Sequence, residues 1–237
     1  MTREEREKER RLRQIRARHA AMKKKRRRQR AFLRFCIYTL LLLILAAGVL
    51  AVRLILWRPH IDGSSIEIPA WIDVQLIDPN PFSRPQTPLE EVKGIVVHYT
   101  ANPGTSAQKN RNFFNNLAKQ DPNGKTTSVS SHFVIGLDGE IIQCVPLTEI
   151  AYASNNRNID TISIECCHPD ESGKFTAETY QSLVRLTAWL KSEFHLKKND
   201  IIRHYDVKGK PCPLYFVEHE DAWKQFKKDV DVYKEEH

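Results

Sequence analysis

With 237 residues, 28% of them charged and 41% hydrophobic, the chain has room for one domain of ordinary size plus appendages, which excludes a second large domain. A formal charge of +8 points to nucleic acid or a membrane surface until its distribution is counted. Residues 1–34 hold 16 Lys and Arg against four Glu, leaving 21 basic and 25 acidic residues for everything after, so the cationic balance belongs to the tail and a cationic globular domain is excluded.

Directly after that tail, residues 35–52 (FCIYTLLLLILAAGVLAV) are 18 residues without a charge, about 27 Å long as a helix. That is close to the roughly 30 Å hydrocarbon thickness, and Leu54 to Trp57 carry the apolar stretch past Arg53 to an interfacial Trp. The reading is a single membrane span over 35–57 behind a basic cytoplasmic tail over 1–34. A cleaved signal peptide is the rival, since it too puts a basic region before an apolar one. Against it stand the length of both regions and the lack of a small-x-small pattern after Trp57. The Lys and Arg excess then holds the N-terminus in the cytoplasm and sends the C-terminal domain across the cell membrane, single-pass. The tail also attracts polyphosphates in principle, but no aromatic residue precedes Phe32 to stack a base, and no nucleic-acid partner is expected.

Residues 58–90 hold many of the prolines and read as a stalk and docking segment, because proline has no backbone donor and fixes φ. Within it, 66–76 suits an extended edge segment. The remaining 91–237 read as the catalytic domain. Five cysteines, Cys36, Cys144, Cys166, Cys167 and Cys212, are an odd and unevenly spaced set, a poor disulfide framework that leaves open one bridge from Cys144 to Cys166 or Cys167.

A β-branched run over 92–99 predicts a buried strand, broken by Asn102-Pro103-Gly104; a helix is expected over 106–119, with Phe113, Phe114 and Leu117 at helical spacing. Apolar runs at 132–135 and 140–145 flank Leu137-Asp138-Gly139, a hairpin signal. Residues 161–167 alternate Ile162, Ile164 and Cys166 against Ser163 and Glu165, the pattern of a half-buried strand. Thr176 caps a helix predicted over 177–196, with Tyr180, Leu183, Val184, Thr187, Leu190 and Phe194 inward. A last short strand over 201–204 precedes a closing helix striped by Trp223, Phe226, Val230 and Tyr233. Interleaved strands and helices predict a mixed α/β fold, a central mixed β-sheet flanked by helices, preceded by the single transmembrane helix.

Two segments carry the chemistry. His98 ends the strand GIVVHYT, and IIRHYDVKGKPCP brings His204 and Cys212, the cysteine stiffened by Pro211 and Pro213. Two histidines and a cysteine from distant segments suit a zinc ion with one position left for water, which points to hydrolysis. Taken singly, each has a plainer reading. A histidine at a strand end is more often a hydrogen-bonded structural residue, and Cys212 could be a disulfide half, an inert thiol or a nucleophile activated by His204. Glu165 could be a solvated residue on a polar strand face, and Lys210 a surface lysine beside Lys208.

His98 on its strand, SSHFVIGLDG, TISIECCH and the final His204, Lys210, Cys212 set together resemble the N-acetylmuramoyl-L-alanine amidase family, over roughly 81–223. This zinc amidase superfamily includes the phage lysozyme-type amidases and the peptidoglycan recognition proteins. The resemblance implies His98, His204 and Cys212 as zinc ligands, Glu165 as the acid/base residue and Lys210 as the cation facing the developing oxyanion. It implies peptidoglycan as substrate, bacterial origin, and the 80–85 element docking before the first core strand. Residues 151–158 match the loop that lines the stem-peptide groove. Some relatives place a Tyr two residues before the Phe of the SHF strand; here that position is Ser131, which shifts the acid/base role onto Glu165. His132 falls on the same strand with its role open.

The resulting expectation is a membrane-anchored peptidoglycan hydrolase that cuts the amide between N-acetylmuramic acid and L-alanine. The alternative is a non-catalytic peptidoglycan-binding module of the same fold, and a third reading is a scaffold whose basic tail recruits cytoplasmic partners. Retention of Cys212 with both histidines favours the enzyme over the binding module.

Overall fold

A computed structural model of the chain describes residues 3–56, 61 and 63–233; Trp57, read above as the interfacial end of the span, lies outside them. Two compact units are present, Met1–Arg58 and Pro59–His237. In the first, one continuous helix α1 (Arg3–Leu56) joins the basic run to the apolar run. Among the described residues this is the one helix long and apolar enough to cross a membrane, by length and composition. Its large apolar side chains, Phe35, Tyr38 and Leu40 to Leu45 among them, are exposed all round the helix rather than gathered on one face.

The second unit is built on six strands: β1 (Asp73–Val74), β2 (Gly94–Tyr99), β3 (Phe133–Ile135), β4 (Ile141–Gln143), β5 (Thr161–Cys166) and β6 (Ile201–Arg203). Their order is β1-β4-β3-β5-β2-β6, with every neighbouring pair parallel except the β3–β4 hairpin. The hairpin is where Asp138-Gly139 predicted it. The sheet is therefore mixed. Part of the 58–90 segment is woven into the fold: β1 forms an edge of the sheet, and Ile72, Ile77 and Leu89 are buried.

Parallel strands need crossovers, and these place helices on both faces. On one face α3 (Ala177–Glu193) and α6 (Glu220–Val232) pack Leu183, Leu186, Leu190, Trp223 and Phe226 against Ile95, Val97, Ile162 and Ile164. On the other, α2 (Ala107–Asn116) packs Ala107 and Phe114 against Val134, Ile142 and Cys144. Each fully buried Leu, Ile or Phe contributes about 1.5–3 kcal/mol. Thr176 caps α3 as expected, its hydroxyl accepting from the Thr179 N–H, and Ser106 caps α2 through the Lys109 N–H.

Several local expectations differ from the structure. Phe113 is exposed while its neighbour Phe114 is buried, because consecutive positions on a helix lie about 100° apart and α2 offers the sheet one narrow stripe. Strand β5 is buried on both faces, its Ser163 taken up by a polar network instead of solvent. After β6 the chain turns back through two short helices. His204 opens a short helix α4 (His204–Lys208), closed by Gly209 at φ 71°, and another short helix, α5 (Leu214–Glu218), follows Cys212. Gly209 is needed there, since a left-handed cap costs a residue with a Cβ about 1 kcal/mol or more.

Candidate metal centre and its surroundings

Register brings the first pieces together. The β2–β5 pairing sets His98 opposite Glu165 on one rung, on the α2 face of the sheet, while Ile95, Val97, Ile162 and Ile164 take the opposite face. On the other flank of β2, the β6 pairing of Val97 with Arg203 ends one residue before His204. Gly94 permits this closeness, since a Cβ there would lie 2.6 Å from the Asp200 carbonyl oxygen in the turn before β6. His98, Glu165 and His204 thus gather at the carboxyl ends of three adjacent parallel strands, where open α/β sheets form clefts.

Cys212 is returned to this point by α4 and Gly209. The Tyr205 N–H donates to the Cys212 carbonyl at 2.9 Å, tying the two ends of the turn together. One candidate ligand atom from each of His98, His204 and Cys212 lies within 4.8 Å of the others, and all three residues are buried. The Cys212 Sγ is 3.7 Å from His98 Nδ1, and the two imidazole centroids are 4.7 Å apart.

The hydrogen bonds settle which ring nitrogens are available. His204 Nε2 is 2.8 Å from Asn155 Oδ1, an acceptor, so Nε2 carries the proton and Nδ1 keeps its lone pair. His98 Nε2 sits 3.1 Å from Ser154 Oγ, leaving Nδ1 directed at the thiol. Orienting bonds of this kind on the far nitrogen are what metal-ligating histidines have. The loop that supplies them is shaped by Asn158, whose Oδ1 accepts from the backbone N–H groups of Ala153 and Ser154. Asn155 adopts φ 55°, a conformation asparagine tolerates better than most residues. Ser154 and Asn155 fell within the segment read from sequence as a substrate groove; their hold on the two histidines was not visible there.

The electrostatics fit a cation. Burial holds His98 well below the ordinary histidine value, with the His204 and Lys210 charges adding to the effect; burial, Lys210 and Lys208 do the same to His204. Both rings are therefore neutral donors at pH 7. Burial and, to a lesser degree, the Glu165 charge push the Cys212 thiol up to about 12, against a Tyr99 backbone hydrogen bond and Lys210. A bound cation would displace that proton, as thiolate coordination requires. Two imidazoles and a thiolate are a donor set that suits zinc.

Glu165 is half-buried as a residue, but its Oε2 is buried and has no hydrogen-bond partner. Burial raises its carboxyl to about 8, with Lys210 opposing. Lys210 itself is exposed. His132 stands apart from this cluster: its Nδ1 accepts from the Ser163 N–H at 3.0 Å and its Nε2 donates to the Glu149 carbonyl at 2.9 Å. Ser131 is fully buried and donates to the Ser163 carbonyl, so it supports the sheet. All five cysteines are free.

A mixed sheet with helices on both faces, carrying a buried His-His-Cys cluster at its strand ends, defines an α/β domain with a candidate metal centre. The family model described as N-acetylmuramoyl-L-alanine amidase matches residues 88–214, and the chain belongs to that family. It is 35% identical over 164 residues to the N-acetylmuramoyl-L-alanine amidase CwlL of Bacillus licheniformis, covering 64% of this chain and 44% of the relative. A probable N-acetylmuramoyl-L-alanine amidase of the same organism is 33% identical over 164 residues, covering 64% and 45%. The chain thus spans less than half the length of these curated relatives. Among solved structures, a mutant endolysin from Bacillus subtilis superposes with a TM-score of 0.56 at 27% identity, covering 67% of this chain and 97% of that one.

Proposed function

We propose that this chain is a membrane-anchored, zinc-dependent N-acetylmuramoyl-L-alanine amidase that cleaves the amide between N-acetylmuramic acid and the L-alanine of the peptidoglycan stem peptide. The observation that carries the proposal is the convergence of three ligand atoms within 4.8 Å beside a buried carboxylate oxygen that has no partner. Membership of the family supplies the substrate class.

In this reading His98, His204 and Cys212 hold the zinc, which when bound supplies Lewis acidity toward the amide carbonyl and toward water. Ser154 and Asn155 fix the imidazole orientations. Glu165 is the acid/base residue: it takes a proton from the attacking water as the water oxygen bonds to the carbonyl carbon. It then gives that proton to the nitrogen as the C–N bond breaks, leaving a muramoyl carboxylic acid and a peptide amine, and the acid passes its remaining proton to solvent or to the amine. A carboxyl raised by burial suits both halves of that task, because it neither loses its proton too readily nor holds it too tightly. Lys210 offers a cation to the oxyanion.

The proposed organisation is a basic cytoplasmic tail over 1–34, a single span over 35–57, a docking segment over 58–90 and the catalytic domain over 91–237. The tail holds the N-terminus in the cytoplasm and places the domain on the wall side of the cell membrane.

The test is to incubate the full chain, in detergent with zinc, with purified peptidoglycan and identify the released fragments by mass spectrometry. Free stem peptides beginning with L-alanine, absent with Glu165→Ala, are expected. Wall binding without release, at full zinc content, would instead make the chain a recognition module.

A further inference from the structure

The metal cluster lies to one side of Glu165, toward β2 and β6. Also beside Glu165, a cavity of about 330 Å³ is lined by Thr100, Asn102, Lys109, Asn110, Phe113, Phe114, Val129 and Glu165, and by none of the three candidate ligands. Two buried oxygens in this lining, Thr100 Oγ1 and Glu165 Oε2, have no hydrogen-bond partner. Buried polar atoms are nearly always paired, so these two mark a wall whose polar capacity is not used up by the fold. Phe113, which the fold leaves 52% exposed, forms an apolar lip. Lys109 is the cation of the lining, exposed on α2, and among the described residues no carboxylate lies within ion-pair distance of it.

We propose that this cavity receives the peptide side of the scissile amide and that Lys109 is a specificity-determining residue, selecting peptides with a free carboxylate close to the cleaved bond. The inference rests on the amidase reading. An acid/base residue gives its proton to the departing amine, so the amine side of the substrate lies at Glu165, which this cavity shares, and the metal ligands do not line it. The new amine is left at the Glu165 carboxyl, in a wall that also holds Thr100. The chain that continues from it runs over Phe113 toward α2, bringing a side-chain or backbone carboxylate one residue on to the Lys109 ammonium. A partly screened ion pair of this kind is worth a discrimination of up to about fivefold.

Two capped N-acetylmuramoyl-alanyl peptides that differ only in a carboxylate or a carboxamide on the second residue test the idea with the full, zinc-loaded chain. About fivefold higher kcat/KM is expected for the carboxylate, falling to about one in Lys109→Gln and retained in Lys109→Arg. A ratio near one in the wild type, or an unchanged ratio in Lys109→Gln, overturns the proposal. Calorimetric binding of the corresponding alanyl peptides gives a readout free of turnover. If neither substrate is cut, the amidase reading fails. In that case a fivefold binding preference lost in Lys109→Gln still sustains the cavity's role, and equal binding of the two peptides overturns it.

Discussion

Two buried histidine centres lie on either side of β5 in the same sheet, and they differ in what their second nitrogen does. His132, at the start of β3, has both ring nitrogens engaged, with Ser163 on β5 and the Glu149 carbonyl. Burial lowers its pKa to about 4 and nothing in its surroundings asks for a ligand. His98 and His204 each have one nitrogen held by a loop side chain while the other faces the partner ring and the Cys212 thiol. Burial and depressed basicity are common to both centres, so neither distinguishes a structural histidine from a ligand. The convergence of open ligand atoms does: buried His168 also keeps an unpaired Nε2, but it belongs to no cluster of candidate ligands among the described residues.

The largest effect should come from removing the thiol. Cys212→Ser is expected to lose bound zinc and at least about a thousandfold in activity, measured by metal content and fragment release, because a hydroxyl is a far poorer ligand at pH 7. Full metal loading of that variant would collapse the distinction between the two centres. Glu165→Gln should keep zinc and lose about 10²–10⁴ in turnover.

The same variant reads the burial of Glu165. Its folded carboxyl, raised to about 8, binds a proton more tightly than the unfolded chain does. Its stabilising contribution is therefore fully present below the unfolded value near 4.5 and lost as pH rises through about 8. In metal-free protein, Glu165→Gln should gain stability relative to wild type across that window, by a few kcal/mol at the top, followed by thermal melts at several pH values. A constant difference would contradict the burial.

Asn155→Ala removes an orienting bond and should weaken zinc affinity about 10–100-fold, read by competition with a chelating dye. The smallest effect on the site belongs to His132→Ala. Leaving the Ser163 N–H unpaired should cost about 1–3 kcal/mol of stability with zinc stoichiometry unchanged. Loss of metal in that variant would erase the contrast.

The central strands were legible because β-branched runs such as Ile95 to Val97 admit one reading, and Asp138-Gly139 announces its hairpin. The candidate cluster was legible through the resemblance, which singled out His98, His204 and Cys212 together where each alone had a plainer reading, and their ligand atoms do converge within 4.8 Å. What could not be read was tertiary. Phe113 and Phe114 have the same chemistry, and only the placement of α2 on the sheet separates an exposed lip from a core residue. Ser163 and Glu165 look alike on an alternating strand until β3 packs beside it, after which one completes a histidine network and the other keeps a bare oxygen. Ser154 and Asn155 are ordinary loop residues by composition; a fold in Asn158's grip makes them props for the two rings.

The β2–β5 register carries a consequence for assembly. Pairing His98 with Glu165 on one rung means that a slip of β5 by one residue would drive the carboxylate into the layer of Ile95, Val97 and the α3 leucines, and would lift Ile162 and Ile164 onto the other face. Burying that charge unpaired costs several kcal/mol, a large share of a domain's whole stability. The glutamate therefore acts as a proofreader of register, since chains assembled one step out of alignment are penalised by the same side chain that, in the aligned ones, stands beside the candidate metal ligands.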